Sequence, residues 1–276
     1  MTTPTTEPLG ATVGARVVGA DPDRLLHDEE FPRWCLDALE AHGALVFRDL
    51  HLDDATQVAF SKRLGAVEVF GRGEHPEIFR VTLDPAKNPA ADYLRGTFDW
   101  HIDGMTDDIP IKATLLSARA VADEGGETEF ASTYAAFEHL DAAEQKRFAR
   151  VRVVHTFEAS QLLVNADPSP EELAMWRRRP AKEHPLVWHH RSGRRSLVLG
   201  ATTSHVVGMD ADAGRALLDD LLARSTVAER VYRHTWAVGD LVIWDNRGVL
   251  HRALPYPRDS ARDMHRTTIT GDEPVQ

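Results

Sequence analysis

From about residue 110 to the C-terminus, short apolar or alternating runs recur between turn signals: "IKATLLSA", "TEFAS", "RVRVVHTF", "HPLVWHH", "SLVLGAT", "HTWAV", "DLVIWDN" and "HRTTIT". Such spacing predicts an antiparallel sandwich or barrel. "RSGRR" between "LVWHH" and "SLVLG" has the composition of a hairpin turn, and "VGD" ahead of "LVIWDN" is a second turn signal. The opening third reads differently. "ATVGARVVGAD" is a strand and turn, and "DEEFPRWCLDALEAHG", with Phe31, Trp34, Leu36 and Leu39 after an acidic start and Gly43 as the stop, reads as an amphipathic helix. "ALVFRDL" follows as a buried strand. "LDDATQVAFSKRLG" is a second helix, with Asp53 or Asp54 as cap and Gly65 as terminator. Two more helical patterns interrupt the later strands, "STYAAFEHLDAAEQKRFAR" and "MDADAGRALLDDLLARS", with Asp210 or Asp212 to cap the second. The expected fold is α+β, mainly β. It is a jelly-roll (double-stranded β-helix) core with flanking and inserted helices, one domain over residues 1–276 with a frayed Thr/Pro-rich start over residues 1–9.

Composition narrows the chemistry. The net charge of -11 argues against a nucleic-acid binder, which needs a clustered basic face. The chain has no apolar run of membrane-spanning length and no secretory signal pattern at its start, so a cytoplasmic protein with no membrane association is expected. Cys35 is the only cysteine, which excludes an internal disulfide and any thiolate cluster. A metal site here must therefore draw on His, Asp or Glu.

"TFDWHIDGM" puts His101 and Asp103 one residue apart, and on an extended segment both side chains leave the same face. Alone, the pair is weak evidence and reads first as a satisfied polar pair at a strand end. A third ligand is at hand in His251, which follows a buried strand and an "NRG" turn in "LVIWDNRGVLHRALP". Two imidazoles and one carboxylate suit non-haem Fe(II) and leave three positions open. Further on, "PRDSARDMHRTTITGD" carries Arg258, Arg262 and Arg266. Arginine meets a carboxylate with two parallel hydrogen bonds, so Arg262 and Arg266 are candidate anchors for an acidic co-substrate, and Arg258 reads as surface charge. His189 and His190 are adjacent on a strand and point to opposite faces, which speaks against joint metal binding. Trp236 and Trp244 read as core, with Trp244 and Asn246 placed to support the iron-ligand strand. His155 and His205 read as structural.

The motifs "WHIDG", "GGETEFAS", "GDLVIWDNRGVLHRA" and "ARDMHRTTITGDEP", in this order, resemble the TauD/TfdA (taurine dioxygenase) family of Fe(II)- and 2-oxoglutarate-dependent oxygenases. The resemblance runs from "LGATVGARVVGAD" to "TGDEP", nearly the whole chain. It implies that His101, Asp103 and His251 bind iron, that Thr128 and Arg262 bind the distal carboxylate of 2-oxoglutarate, and that Arg266 meets the anionic end of the substrate. Gly125 and Gly126 form the turn that delivers Thr128. The implied reaction consumes dioxygen, decarboxylates 2-oxoglutarate to succinate and carbon dioxide, and hydroxylates a small organic, anionic substrate; a hydroxylated carbon bearing a heteroatom would then cleave. Asp103 separates this site from halogenases of the wider superfamily, which carry a small residue there. The pocket-lining region in relatives corresponds to "VEVFGRGEHPEIFRVTLDPAKNPAADYLRG", where "HPEIFRV" is expected to be a strand and Phe70, Arg72 and His75 before it are pocket candidates, and Thr97 and Phe98 precede the metal motif. Acidic residues after Asp103 disfavour a highly charged substrate such as taurine. Relatives commonly form dimers or tetramers, so a homo-oligomer is expected. Two alternatives stay open: a catalytically silent metal-binding or sensor protein of this fold, and a zinc or manganese cupin-type enzyme that does not use 2-oxoglutarate and has no need of Arg262.

Overall fold

Residues 3–276 are described by the computed structural model, in which fifteen strands and eight α-helices alternate along the chain. The first strands are β1 (Thr5–Pro8), β2 (Ala15–Val18), β3 (Ala44–Phe47), β4 (Phe79–Val81), β5 (Ala113–Ala120), β6 (Thr128–Ser132), β7 (Arg152–His155) and β8 (Lys182–Pro185). The chain continues with β9 (Val187–His189), β10 (Arg195–Leu197), β11 (Thr203–Val206), β12 (Val231–His234), β13 (Leu241–Asp245), β14 (Val249–Ala253) and β15 (Asp263–Ile269). Seven of them form one sheet in the order β1-β2-β3-β13-β5-β15-β4, antiparallel except for β2 and β3. That parallel pair is joined through the predicted helix Phe31–His42, because parallel neighbours need a crossover. A second, three-stranded sheet has the order β12-β6-β14.

Side-chain alternation divides the large sheet between two cores. Leu45, Phe47, Leu115, Leu241 and Ile243 pack with Leu25, Phe31, Cys35, Leu39, Phe60 and Leu64 of the helices Pro22–His27, Phe31–His42 and Asp54–Leu64. The intervening Ala44, Val46, Leu116, Val242, Trp244 and Met264 face the other way and meet Phe130, Tyr232 and Val249 of the second sheet. Each fully buried Leu or Phe contributes roughly 1.5–3 kcal/mol of apolar transfer free energy, so this alternation fixes the strand register. A further core joins β7, β9 and β10 to the inserted helices through Phe137, Phe148, Val153, Val187, Leu197, Leu218 and Leu221. Asp53 and Asp210 cap their helices as expected. Among the described residues no helix is long and apolar enough to cross a membrane.

Three expectations are corrected. The start is not frayed up to residue 9: Thr5–Pro8 pairs in full register with β2, and Thr6 hydrogen-bonds His42 at 3.0 Å; Met1 and Thr2 lie outside the described residues. The helical pattern from Ser132 is two helices, Thr133–Glu138 and Ala142–Phe148, because Asp141 and Glu144 form a reciprocal capping box that starts a new helix. "HPEIFRV" narrows to the short strand β4.

His155 is structural, as expected. It is buried with Nδ1 2.9 Å from the Thr202 hydroxyl, and burial pushes its pKa down to about 3. An unfolded histidine takes up its proton near pH 6.5, so stability is full above that pH and declines as pH falls toward about 3, where the folded protein is also protonated. His155→Leu is expected to remove about one proton from the uptake on unfolding at pH 5, read from urea unfolding across a pH series.

Candidate active site

His101 and His251 form an isolated antiparallel pair, the amide of each donating to the carbonyl of the other at 3.0 and 2.9 Å. Residues opposed in this way project to the same side, and the two ring centroids lie 4.1 Å apart. Asp103 shares the side of His101, with Ile102 between them buried in a separate apolar cluster, and it opens the turn in which Gly104 redirects the chain at φ +80, where a Cβ would stand 2.7 Å from the Ile111 nitrogen. Asp103 Oδ1 lies 3.7 Å from His101 Nε2 and Oδ2 lies 3.6 Å from His251 Nε2. His101 Nδ1 donates to the Asp99 carbonyl at 2.9 Å, which leaves Nε2 with its lone pair facing the carboxylate.

Charge states in this cluster suit metal binding. Burial pushes the Asp103 carboxyl up, but His251, Arg266, His101 and the Thr114 hydroxyl outweigh it and hold the pKa well below the usual carboxylate range, at about 2. Burial, followed by the neighbouring His101, pushes His251 down to about 3. An ionised carboxylate and a neutral imidazole are the forms that ligate a divalent ion. One ligand atom from each of the three residues lies within 4.8 Å of the others, the one such cluster among the described residues.

The second sheet brings a different set of groups to the same cavity. In the β6–β14 register Phe130 opposes His251 and Thr128 opposes Ala253, so Thr128 and His251 share a face. Trp236 Nε1 donates to the Thr128 hydroxyl at 3.0 Å, leaving the hydroxyl proton for another acceptor. Gly125 and Gly126 turn with φ +70 and +75; a Cβ on Gly125 would lie 2.1 Å from the Pro255 carbonyl oxygen, and one on Gly126 would press on Arg262 at 3.0 Å. Arg262 is only 2% exposed, and burial pushes its pKa down. Its guanidinium has Tyr256 beside it, ring centroid at 4.7 Å and hydroxyl at 3.5 Å, and no carboxylate pairs with it among the described residues. A buried cation without a counter-charge costs several kcal/mol. The residues on this one cavity therefore fit a divalent metal at His101, Asp103 and His251 and an anionic carboxylate at Arg262.

Arg266, on β15, lines the same cavity. Its guanidinium is 3.9 Å from Asp103 Oδ2 and sits over the rings of Phe79 and Phe70 at 4.8 and 5.5 Å, while its Nε is buried without a hydrogen-bond partner. Thr97 lines the cavity and donates to the Leu94 carbonyl at 2.6 Å. The 3-10 helix Ala91–Phe98 turns Leu94 and Thr97 inward together, since residues three apart eclipse on such a helix. Phe98 is consequently directed away and packs on Tyr256 at 5.8 Å. Phe70 reaches the site only through Arg266 and Phe79, at 38% exposure. Two candidates are not brought in: Arg72 is exposed in its turn, and His75 lies where its charge acts on Asp53 and Glu77. Val81, Leu94, Leu116 and Ala253 also line the cavity, and nothing polar in the sequence marks them. Trp244 lies 4.7 Å from the His251 ring, in its expected supporting place. Arg258 is surface charge, as expected, pairing with Asp92 at 2.7 Å, and His190 is buried and held between Glu273 and Ser196.

Residues 5–268 match the family described as "Taurine catabolism dioxygenase TauD, TfdA family". The chain belongs to the TauD/TfdA family. It is 35% identical to the alpha-ketoglutarate-dependent 2,4-dichlorophenoxyacetate dioxygenase of Cupriavidus pinatubonensis, over 86% of this chain and 88% of that protein. It is 32% identical to the (S)-phenoxypropionate/alpha-ketoglutarate-dioxygenase of Sphingobium herbicidovorans, over 96% and 94%. Among solved structures, AAD-2 in complex with Mn(II) and N-oxalylglycine superposes with a TM-score of 0.85 at 31% identity, covering 100% of both chains. In this TauD/TfdA member the four motifs that carry the resemblance all border the cavity or its supporting strands.

Proposed function

We propose that the chain is an Fe(II)- and 2-oxoglutarate-dependent dioxygenase that hydroxylates a small organic anion and releases succinate and carbon dioxide. The observation that carries this reading is Arg262, a buried guanidinium with no carboxylate partner among the described residues, on the same cavity as the His101, Asp103 and His251 cluster. We read the two facing sheets as one double-stranded β-helix domain that holds both ends of the cavity in register. In this reading His101, Asp103 and His251 hold the metal, and Arg262 with the Thr128 hydroxyl binds the far carboxylate of 2-oxoglutarate. Bound iron would supply the activation of dioxygen. The protein's part is orientation: Arg262 fixes the co-substrate from one end, and Val81, Leu94 and Leu116 keep the reacting region apolar. Such a wall excludes water from a reactive site.

Arg266 would meet the substrate's anionic group. Its charge is partly met by Asp103 at 3.9 Å, and its Nε remains unpartnered, which fits one anionic group and not a highly charged molecule. The Phe70 and Phe79 rings beside it favour an apolar or aromatic body, so aryloxyalkanoic acids, the class named in the two relatives, are the first substrates to test. The experiment is an aerobic panel of aryloxyalkanoates and alkyl sulfates with Fe(II) and 2-oxoglutarate, reading succinate and product mass together. Product formation that needs both additions supports the proposal, and indifference to 2-oxoglutarate rejects it. A silent sensor would give no succinate, and a cupin-type enzyme would turn over without the co-substrate. Arg266→Ala is expected to raise KM for the anionic substrate roughly 10- to 100-fold, the equivalent of one charged hydrogen bond, and to leave KM for 2-oxoglutarate nearly unchanged.

A further inference from the structure

Trp244, Asn246, Thr114 and Asp103 form a continuous chain of hydrogen bonds running from the core to the candidate metal ligand. Trp244 Nε1 donates to Asn246 Oδ1 at 3.1 Å, Asn246 Nδ2 donates to the Thr114 hydroxyl at 2.8 Å, and that hydroxyl donates to Asp103 Oδ2 at 3.1 Å. Thr114 and Asn246 are fully buried and Trp244 nearly so. Pairing of β5 with β13 sets Thr114 directly opposite Trp244, on the face that otherwise carries the apolar Leu116, Ala118 and Val242.

The direction of this chain is forced by the chemistry of its first member. Indole nitrogen can only donate, so the Asn246 oxygen must face it and the Asn246 amide must face Thr114. With its oxygen already accepting, Thr114 has its proton free for the carboxylate, which can only accept when ionised. The result is that Oδ2 of Asp103 accepts from Thr114 and keeps a lone pair on the side of His251 Nε2 at 3.6 Å, while Oδ1 faces His101 Nε2 at 3.7 Å. We infer that Thr114, oriented by Trp244 through Asn246, is a positioning residue that fixes the orientation of the Asp103 carboxylate toward the metal. This rests on the metal-binding role given to Asp103 above. Trp244 also lies against the His251 ring at 4.7 Å, so one side chain restrains two of the three candidate ligands.

The test titrates Mn(II) anaerobically into the metal-stripped full-length chain in the presence of 2-oxoglutarate, with thermal unfolding of each metal-free variant as a check on folding. Thr114→Val keeps the shape and removes the donor; it is expected to weaken Mn(II) binding roughly 10- to 100-fold, as loss of an outer-shell partner does. Thr114→Ser restores the hydroxyl and is expected to restore binding, which a packing role for the threonine methyl would not do. Trp244→Phe keeps a ring beside His251 but lets the Asn246 amide turn over, drawing the Thr114 proton away from Asp103. It should weaken binding in the native background and change it by less than about twofold in the Thr114→Val background, because the two residues act through one chain. Native-like affinity in Thr114→Val overturns the inference, as does a Trp244→Phe effect of equal size in both backgrounds. If Thr114→Val does not fold, the Thr114→Ser and Trp244→Phe pair decides. Failure of the unaltered chain to bind Mn(II) at all would overturn the functional reading itself, and the positioning role with it.

Discussion

Asp103→Ala abolishes metal binding and hydroxylation together and leaves the fold in place. Asp103 supplies the only negative charge among the three clustered ligands, so its loss leaves two imidazoles facing a divalent cation. Loss of one outer-shell partner costs up to roughly 100-fold in metal affinity, and loss of a ligand is expected to exceed that. The fold does not depend on the carboxylate, because the turn that carries it is anchored by its neighbours: Ile102 and Met105 are buried in the cluster with Trp100, Trp188 and Leu250. In the metal-free protein the Thr114 hydroxyl loses a charged acceptor, worth about 1.5–3 kcal/mol, offset in part because a desolvated carboxylate is no longer buried. The measurements are metal titration, product formation and the circular dichroism spectrum with its thermal midpoint. Hydroxylation that survives in Asp103→Ala would remove this residue from the site.

What could be read from the sequence was whatever depends on residue type or local period. Strand β13 is legible because its apolar residues are covered on both faces, by helices on one side and by the second sheet on the other. His101 and His251 are legible because imidazoles beside a carboxylate in a chain with one cysteine have few alternative uses as a set. Asp103 is brought beside both imidazoles, and the glycine after it, in the left-handed region, turns the chain away directly past the carboxylate. The "FGRGEHP" segment is where reading stops, since a glycine- and proline-punctuated loop has no period to give its side chains a direction, and Arg72 and His75 point elsewhere. Thr114 is the instructive omission. In "IKATLLSA" it is indistinguishable from any strand-forming threonine, and its meaning comes from Asn246, 132 residues away. The break before Ala142, by contrast, carried its own signal, the Asp141 and Glu144 capping pair inside an otherwise helical pattern.

Arg262→Ala raises KM for 2-oxoglutarate by about 100-fold or more, as expected when one member of a buried charge pair worth about 3–5 kcal/mol is removed. The same substitution is expected to leave the ligand-free protein at least as stable as before. In that state Arg262 is a desolvated cation whose nearest polar company is the Tyr256 hydroxyl at 3.5 Å, and alanine ends the desolvation penalty. These opposite signs distinguish an anchor from a structural arginine, whose loss would lower stability and affinity together. A third readout follows from linkage: 2-oxoglutarate at about 100 times its Kd stabilises a protein that binds it only when folded by about 2.7 kcal/mol. That protection should be present in the native chain with Mn(II) and absent in Arg262→Ala at the same concentration. Arg262→Lys should fall between the two, because an ammonium keeps the charge but cannot form two parallel hydrogen bonds to the carboxylate. If Arg262→Ala keeps a native KM for 2-oxoglutarate, the guanidinium does not hold the co-substrate, and the cupin-type alternative regains its place.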